Sequence, residues 1–257
     1  MVPSLPAQQT QSPSPAYQSK MHGPLTSQAL VESYEREILD AINYERRYEK
    51  LPELRLNAAL TAAARKHSAL MAERNALNHQ LPGEPRLQLR VADAGVHFSR
   101  VAENLGVGED VQSIHAGLML SAGHRANILE PENNEVGIGV VINKHGLWVT
   151  QDFAHIVPDL SSEQQVEVLT AKLRSLGVTV NNLEHNANFS CGSSLPSSTH
   201  TAMTVVHIET SDLDAMPQEF LRMADEYHYA SIAACPVQNK HESAKGFVRY
   251  RFAIIFY

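Results

Sequence analysis

At 257 residues, with 43% hydrophobic and 19% charged side chains, the chain has the composition of a globular protein and the length of two modules of ordinary size. No apolar run approaches the roughly 20 residues of a membrane-crossing helix, which sets transmembrane roles aside. A formal net charge of −7 argues against a nucleic-acid partner, which requires a concentrated cationic surface.

Residues 1–27 are rich in Pro, Ser and Gln and read as a flexible segment. They hold no apolar run long enough for a signal-peptide core, although VPSLPA at 2–7 has the character of a signal-peptide tail, so export is an expectation. After a cap at Thr26 or Ser27, Leu30, Tyr34, Ile38 and Ile42 recur at helical spacing and predict an amphipathic helix with Glu35, Glu37 and Arg46 turned outward. Asn57 caps a second helix with Leu60, Ala64, His67 and Met71 on its inner stripe and an end near Asn75. His67 lies on that apolar stripe and reads as a hydrogen-bonded core residue, outside any site.

A third helix starts around Asp110 with Val111, Ile114 and Leu118 inside, and Gly123 marks a break beyond it. Alternation in Val136, Ile138, Val140 and Ile142, a turn over residues 143–146, and alternation in Leu147, Val149, Gln151 and Phe153 predict a β-hairpin. Three helices ahead of a hairpin predict a sheet covered by helices, with polar loops around His79, Glu103 and His124 meeting over one face. Two imidazoles and a carboxylate suit either a divalent metal or acid–base chemistry. Glu103 ahead of Asn104 also has a structural reading, as a carboxylate that satisfies a backbone turn.

Residues 159–257 read as a second, small α/β module. A capping box from Ser162 to Gln165 opens a helix with Val166, Leu169, Leu173 and Leu176 on one face and Gly177 at its stop. A strand through Ala202, Thr204, Val206 and Ile208, a helix over Pro217–Tyr227 and a terminal strand over Phe247–Tyr257 follow. That last strand is apolar on both faces, which predicts a central position in a sheet. Cys191 and Cys235 are a candidate disulfide; His185, His200, His207, His228 and His241 lack ligand spacing.

Several blocks of the first module stand in a familiar order: Ile42-Asn43-Tyr44-Glu45-Arg46, Leu54-Arg55-Leu56-Asn57, Ala64-Arg65-Lys66-His67-Ser68, Asn78-His79, Val101-Ala102-Glu103-Asn104-Leu105, SAGHRANIL at 121–129, EVGIG at 135–139 and WVTQDF at 148–153. Through them residues 28–158 resemble the CAP superfamily (cysteine-rich secretory proteins, antigen 5 and pathogenesis-related proteins), in its bacterial SCP-like extracellular branch. The resemblance implies an α+β fold, a three-layer α-β-α sandwich with a central cleft in which two His and two Glu hold a divalent ion such as zinc. His79 and His124 match the two imidazoles and Glu103 the first carboxylate. The second has no counterpart, because LMLSAGH at 118–124 contains no acid; Glu135 and the Ser121 hydroxyl are the candidates for its place. Ala102 replaces the family's Gly, Leu118 its usual Trp, and its cysteines are absent.

The function expected from this resemblance is an extracellular or periplasmic binding module. Its cleft of His79, Glu103, Ser121, His124 and Glu135 would take a peptide, lipid or glycan, with Zn2+ on His79, Glu103 and His124. The alternative is a zinc-dependent hydrolase with Glu103 and His124 as candidate catalytic residues. A Ser121–His124–Glu103 triad is the weakest reading, since no nucleophile elbow surrounds Ser121.

Overall fold

A computed structural model describes residues 27–181, 191, 204–213, 216–236 and 245–257. The segment 1–26 lies outside them, as do His185, His200, Ala202 and His241. The first module runs α1 (Ser27–Tyr48), β1 (Arg55–Leu56), α2 (Ala58–Arg74), α3 (Leu87–Asp93), β2 (Phe98–Gly108), α4 (Val111–Leu120), α5 (Ala122–Ile128), β3 (Glu135–Asn143) and β4 (Gly146–Ile156). Its strands form one sheet in the order β1-β3-β4-β2, with β4 antiparallel to both neighbours and β1 parallel to β3. The hairpin closes on Asn143 opposite Gly146, leaving a two-residue loop.

Both faces of the sheet are covered. On one, Ile38, Ile42, Val111, Ile114, Leu118 and Ile128 pack against Val136, Ile138, Val140, Val149 and Phe153. On the other, α2 and α3 bring Leu60, Val91 and Ala92 against Phe98 and Ala154, and Met71 and Leu81 meet Leu105 and Trp148. Burying each such Ile or Leu contributes roughly 1.5–3 kcal/mol. The α2 backbone lies so close to β3 that a Cβ on Gly137 or Gly139 would fall 2.2 or 2.3 Å from helix backbone carbons. The architecture is the three-layer α-β-α sandwich.

Helix α1 differs from expectation on its polar side. Arg46 is fully buried, continuing the Ile38–Ile42 stripe by another four residues, and Glu35 is buried too. Arg46 donates to the carbonyls of Pro52, Ile128, Glu130 and Asn133 at 2.7–3.2 Å, so it gathers two loops and the end of α5 at once. Glu35 accepts two hydrogen bonds from Arg65 on α2, at 2.7 and 2.6 Å. Charges are sent outward by default because water solvates them; here fixed partners replace the water. The break between α4 and α5 falls at Ser121, which ends one helix and begins the next, whereas Gly123 sits inside α5.

The second module contains α6 (Ser162–Ser175), β5 (Thr179–Val180), β6 (Thr204–Thr210), α7 (Gln218–Glu226), β7 (Tyr229–Cys235) and β8 (Tyr250–Phe256). Its sheet order β5-β7-β8-β6 puts the terminal strand in the middle, over a core of Leu169, Leu173, Phe220, Phe252, Ile254 and Phe256. The capping box is one residue earlier than expected, Ser161 with Gln164. Leu176 lies past the helix end and is 40% exposed. The terminal strand begins at Tyr250 rather than Phe247, which instead forms a lone bridge with Phe98. Cys191 and Cys235 are joined in a disulfide.

Candidate functional site

Glu103 stands on strand β2 and not in a loop, directly across the ladder from Asp152. A strand covered on both faces shows no clean alternation of apolar and polar residues, which is why the sequence reads there as irregular. Successive side chains still point to opposite faces. Glu103 therefore points toward α2 and α3, while Asn104 points toward α5. Asn104 donates to the carbonyl of His124 at 3.1 Å and accepts from Asn127 at 2.9 Å; Asn127 also donates to the Glu103 carbonyl at 3.3 Å. Asn104 and Asn127 thus lock the helix that carries His124 onto the strand that carries Glu103.

The Glu103 side chain is 2% exposed and both of its oxygens are engaged. Oε1 meets Nδ1 of His79 at 2.8 Å, and Oε2 accepts from Arg90 Nη2 at 2.7 Å. Arg90 also donates to the His79 carbonyl at 3.3 Å and stands 3.5 Å from Glu84. Glu84 in turn pairs with Nδ1 of the fully buried His67 at 2.7 Å, and His67 Nε2 lies 3.7 Å from Glu103. A continuous buried chain of carboxylates, imidazole and guanidinium therefore underlies the exposed His79. Asp152 completes it: burial first, and then the charge of Glu103, push its carboxyl well above the usual carboxylate range and favour its neutral form. Behind Glu84 and Arg90 opens a groove of about 390 Å³ lined also by Ala63, Lys66, Leu70 and Pro85.

This geometry sets the chemistry of His79. With Nδ1 turned to the Glu103 carboxylate as its donor, it is Nε2 that carries the lone pair in the neutral ring, on a side chain 59% exposed. His124 neighbours it; burial, and then the repulsion His79 exerts whenever it is protonated, push the His124 imidazole below its ordinary range and favour the neutral ring. The cleft thus presents two imidazoles, one of them oriented by a fixed carboxylate.

Of the other expected members, Glu135 is committed elsewhere, held by Arg55 at 2.9 Å and Asn57 at 2.6 Å at the start of α2. Ser121 sits at the α4–α5 junction, and among the described residues the Glu103 carboxylate bonds to His79 and Arg90, so the Ser121–His124–Glu103 triad is not assembled. Among the described residues no three His, Cys, Asp or Glu side chains stand together as metal donors. Glu103 is committed, with a cation 2.7 Å away, which leaves two imidazole donors where a zinc site wants at least three. Arg90, Glu84 and Asp152 were missed in the sequence. Arg90 rides on a seven-residue helix too short to show a period, and Asp152 signals itself only as a lone acid within an apolar strand.

The model of the cysteine-rich secretory protein (CAP) family matches residues 39–153. The Bacillus subtilis protein YkwD, itself described as uncharacterised, is 29% identical over 147 residues, 56% of this chain and 56% of that protein. Two solved structures are similar. A Bacillus anthracis extracellular protein containing an SCP domain is 28% identical, at a TM-score of 0.47 over 52% of this chain and 45% of that one. A Borrelia burgdorferi outer surface protein is 15% identical, at a TM-score of 0.47 over 49% of this chain and 96% of that one. The chain spans about half the length of the two Bacillus proteins.

Proposed function

Residues 39–153 form a domain of the CAP superfamily, and from that premise we propose that the chain is an extracellular binding protein whose cleft engages its ligand through the imidazoles of His79 and His124. The observation that carries this reading is the 2.8 Å bond from His79 to a Glu103 pinned by Arg90. A bare Nε2 lone pair is an acceptor, so the cleft suits ligands rich in hydroxyl or amine donors, such as a glycan or a basic peptide. In the same reading a divalent ion has only the two imidazoles as protein ligands and takes the rest from water or the bound molecule, with Glu103 behind His79 as the group that orients the ring. The zinc hydrolase reading asks Glu103 to be both a metal ligand and the partner of Arg90, and draws no support from the geometry. Location outside the cell is supported by the Cys191–Cys235 disulfide, a bond that persists in oxidising compartments, and by the secretory character of the family.

The test is an NMR titration of the imidazole signals of His79 and His124 with zinc, a soluble amino-sugar oligosaccharide, a short lysine-containing peptide and a medium-chain fatty acid. At least one of the first three is expected to shift both rings in the wild type and to lose saturable binding in His79→Ala. Shifts with the fatty acid alone, or with none of the four at millimolar concentration, overturn the reading.

A further inference from the structure

Helix α3 delivers Arg90 to Glu103, yet little in α3 itself fixes its position. It has seven residues, and Arg86 at its start provides no side-chain cap. Helices this short are marginal on their own and take their stability from packing. Its buried side, Val91 and Ala92, rests against Leu60 and Phe98 of the first module and against Phe247 of the second.

The second module reaches it through one short segment. Gly246 accepts from the Phe98 amide and Val248 donates to the Phe98 carbonyl, both at 2.8 Å, so residues 246–248 add a parallel bridge to the free edge of β2. An open strand edge is otherwise a row of unpaired backbone groups. The rings of Phe98 and Phe247 meet edge to face with centroids 6.2 Å apart, and the Arg249 guanidinium covers Phe247 at 5.3 Å. Lys245 pairs with Asp93, the last residue of α3, at 2.5 Å. Gly246 takes a positive φ of 71° and lies so close that a Cβ there would fall 2.7 Å from the Ala92 side chain and 2.9 Å from the Val96 carbonyl. The segment thus touches α3 at its end, along its buried face and through the strand beneath it.

We propose that Lys245–Val248 is a latch by which the second module positions α3, and through Arg90 sets the Glu103–His79 pair of the cleft. Phe247 and Lys245 are positioning residues in this scheme; neither touches the cleft. The latch concerns the placement of Arg90, so it stands or falls apart from the ligand assigned to the cleft, although its consequence for function rests on that assignment.

The experiment uses the full chain and follows the Arg90 guanidinium and His79 ring by NMR, with the Trp148 indole N–H as a control. Trp148, the chain's single tryptophan, donates to Asn143 at 3.1 Å beside the hairpin turn, remote from the latch. In Phe247→Ala the separate Nη signals of a held Arg90 are expected to merge and the His79 ring signals to move, while Trp148 keeps its position; Phe247→Leu restores both in large part. Lys245→Ala removes only a surface ion pair, folds, and produces a smaller Arg90 change in the same direction. Arg90 and His79 signals unchanged in a folded Phe247→Ala, as a merely stabilising role for Phe247 requires, overturn the latch. If Phe247→Ala unfolds, unchanged Arg90 signals in both Phe247→Leu and Lys245→Ala overturn it equally.

Discussion

The two modules fill their interiors differently. The first buries Glu35, Arg46, His67, Arg90, Glu103 and Asp152 among its aliphatic side chains; the described residues of the second bury Thr170 and no charged group. An apolar core is enough to hold a sheet and two helices together, as the second module shows. A buried ion costs several kcal/mol unless its partners are in place, so the charges of the first module are tolerated only as a set. Arg46 and Glu35 serve architecture, tying loops and helices together. The Glu84–His67–Arg90–Glu103–Asp152 group differs, because it ends on an exposed imidazole, and burial with charge coupling of this kind is what functional sites commonly show.

The sharpest way to break this contrast is to make the same kind of change in both interiors. Arg90→Met keeps much of the side-chain volume but strands Glu103 without its cation, and is expected to cost about 3–5 kcal/mol in urea denaturation. A loss below about 1 kcal/mol would mean that the network does not depend on the pairing. Asp152→Asn tests the neutral acid. Burial, and then Glu103, favour the protonated form of the folded carboxyl, whereas the unfolded chain releases that proton above about pH 4, so wild-type stability falls relative to the variant as pH rises past about 4. Parallel stability curves for the two proteins would show that Asp152 is not held protonated. The smallest effect belongs to the second module: Phe252→Leu, apolar for apolar, is expected to cost about 1 kcal/mol with no pH dependence, measured in the same way.

Much of this architecture was legible in the sequence where a period or a cap was strong. Asn57 and Asn75 bound α2, Asp110 opens α4, and the hairpin register follows from strict alternation. The terminal strand's central place follows from apolar residues on both of its faces. Strand β2 was hidden because a strand buried on both sides carries Glu103 and Asn104 toward different layers, and α3 because seven residues show no period. β7, with its run of small residues, carries little strand signal. His79, Glu103 and His124 were found through motif order, whereas the partners that decide their chemistry, Arg90 and Asp152, come from distant positions that only the folded chain brings together. The buried Arg46 shows the same limit from the other side: an i, i+4 continuation of the stripe was visible, but its loop carbonyls were not.

The account rests on one orientation, that of the His79 ring against Glu103. The most direct measurement is the tautomer of His79 in the free wild-type protein at neutral pH, read from its two ring nitrogens by long-range proton–nitrogen NMR. The account predicts a protonated Nδ1 and a bare Nε2. A ring protonated at Nε2, with Nδ1 bare, would contradict it, because the nitrogen facing Glu103 would then have no proton to donate and the cleft would present a donor in place of an acceptor.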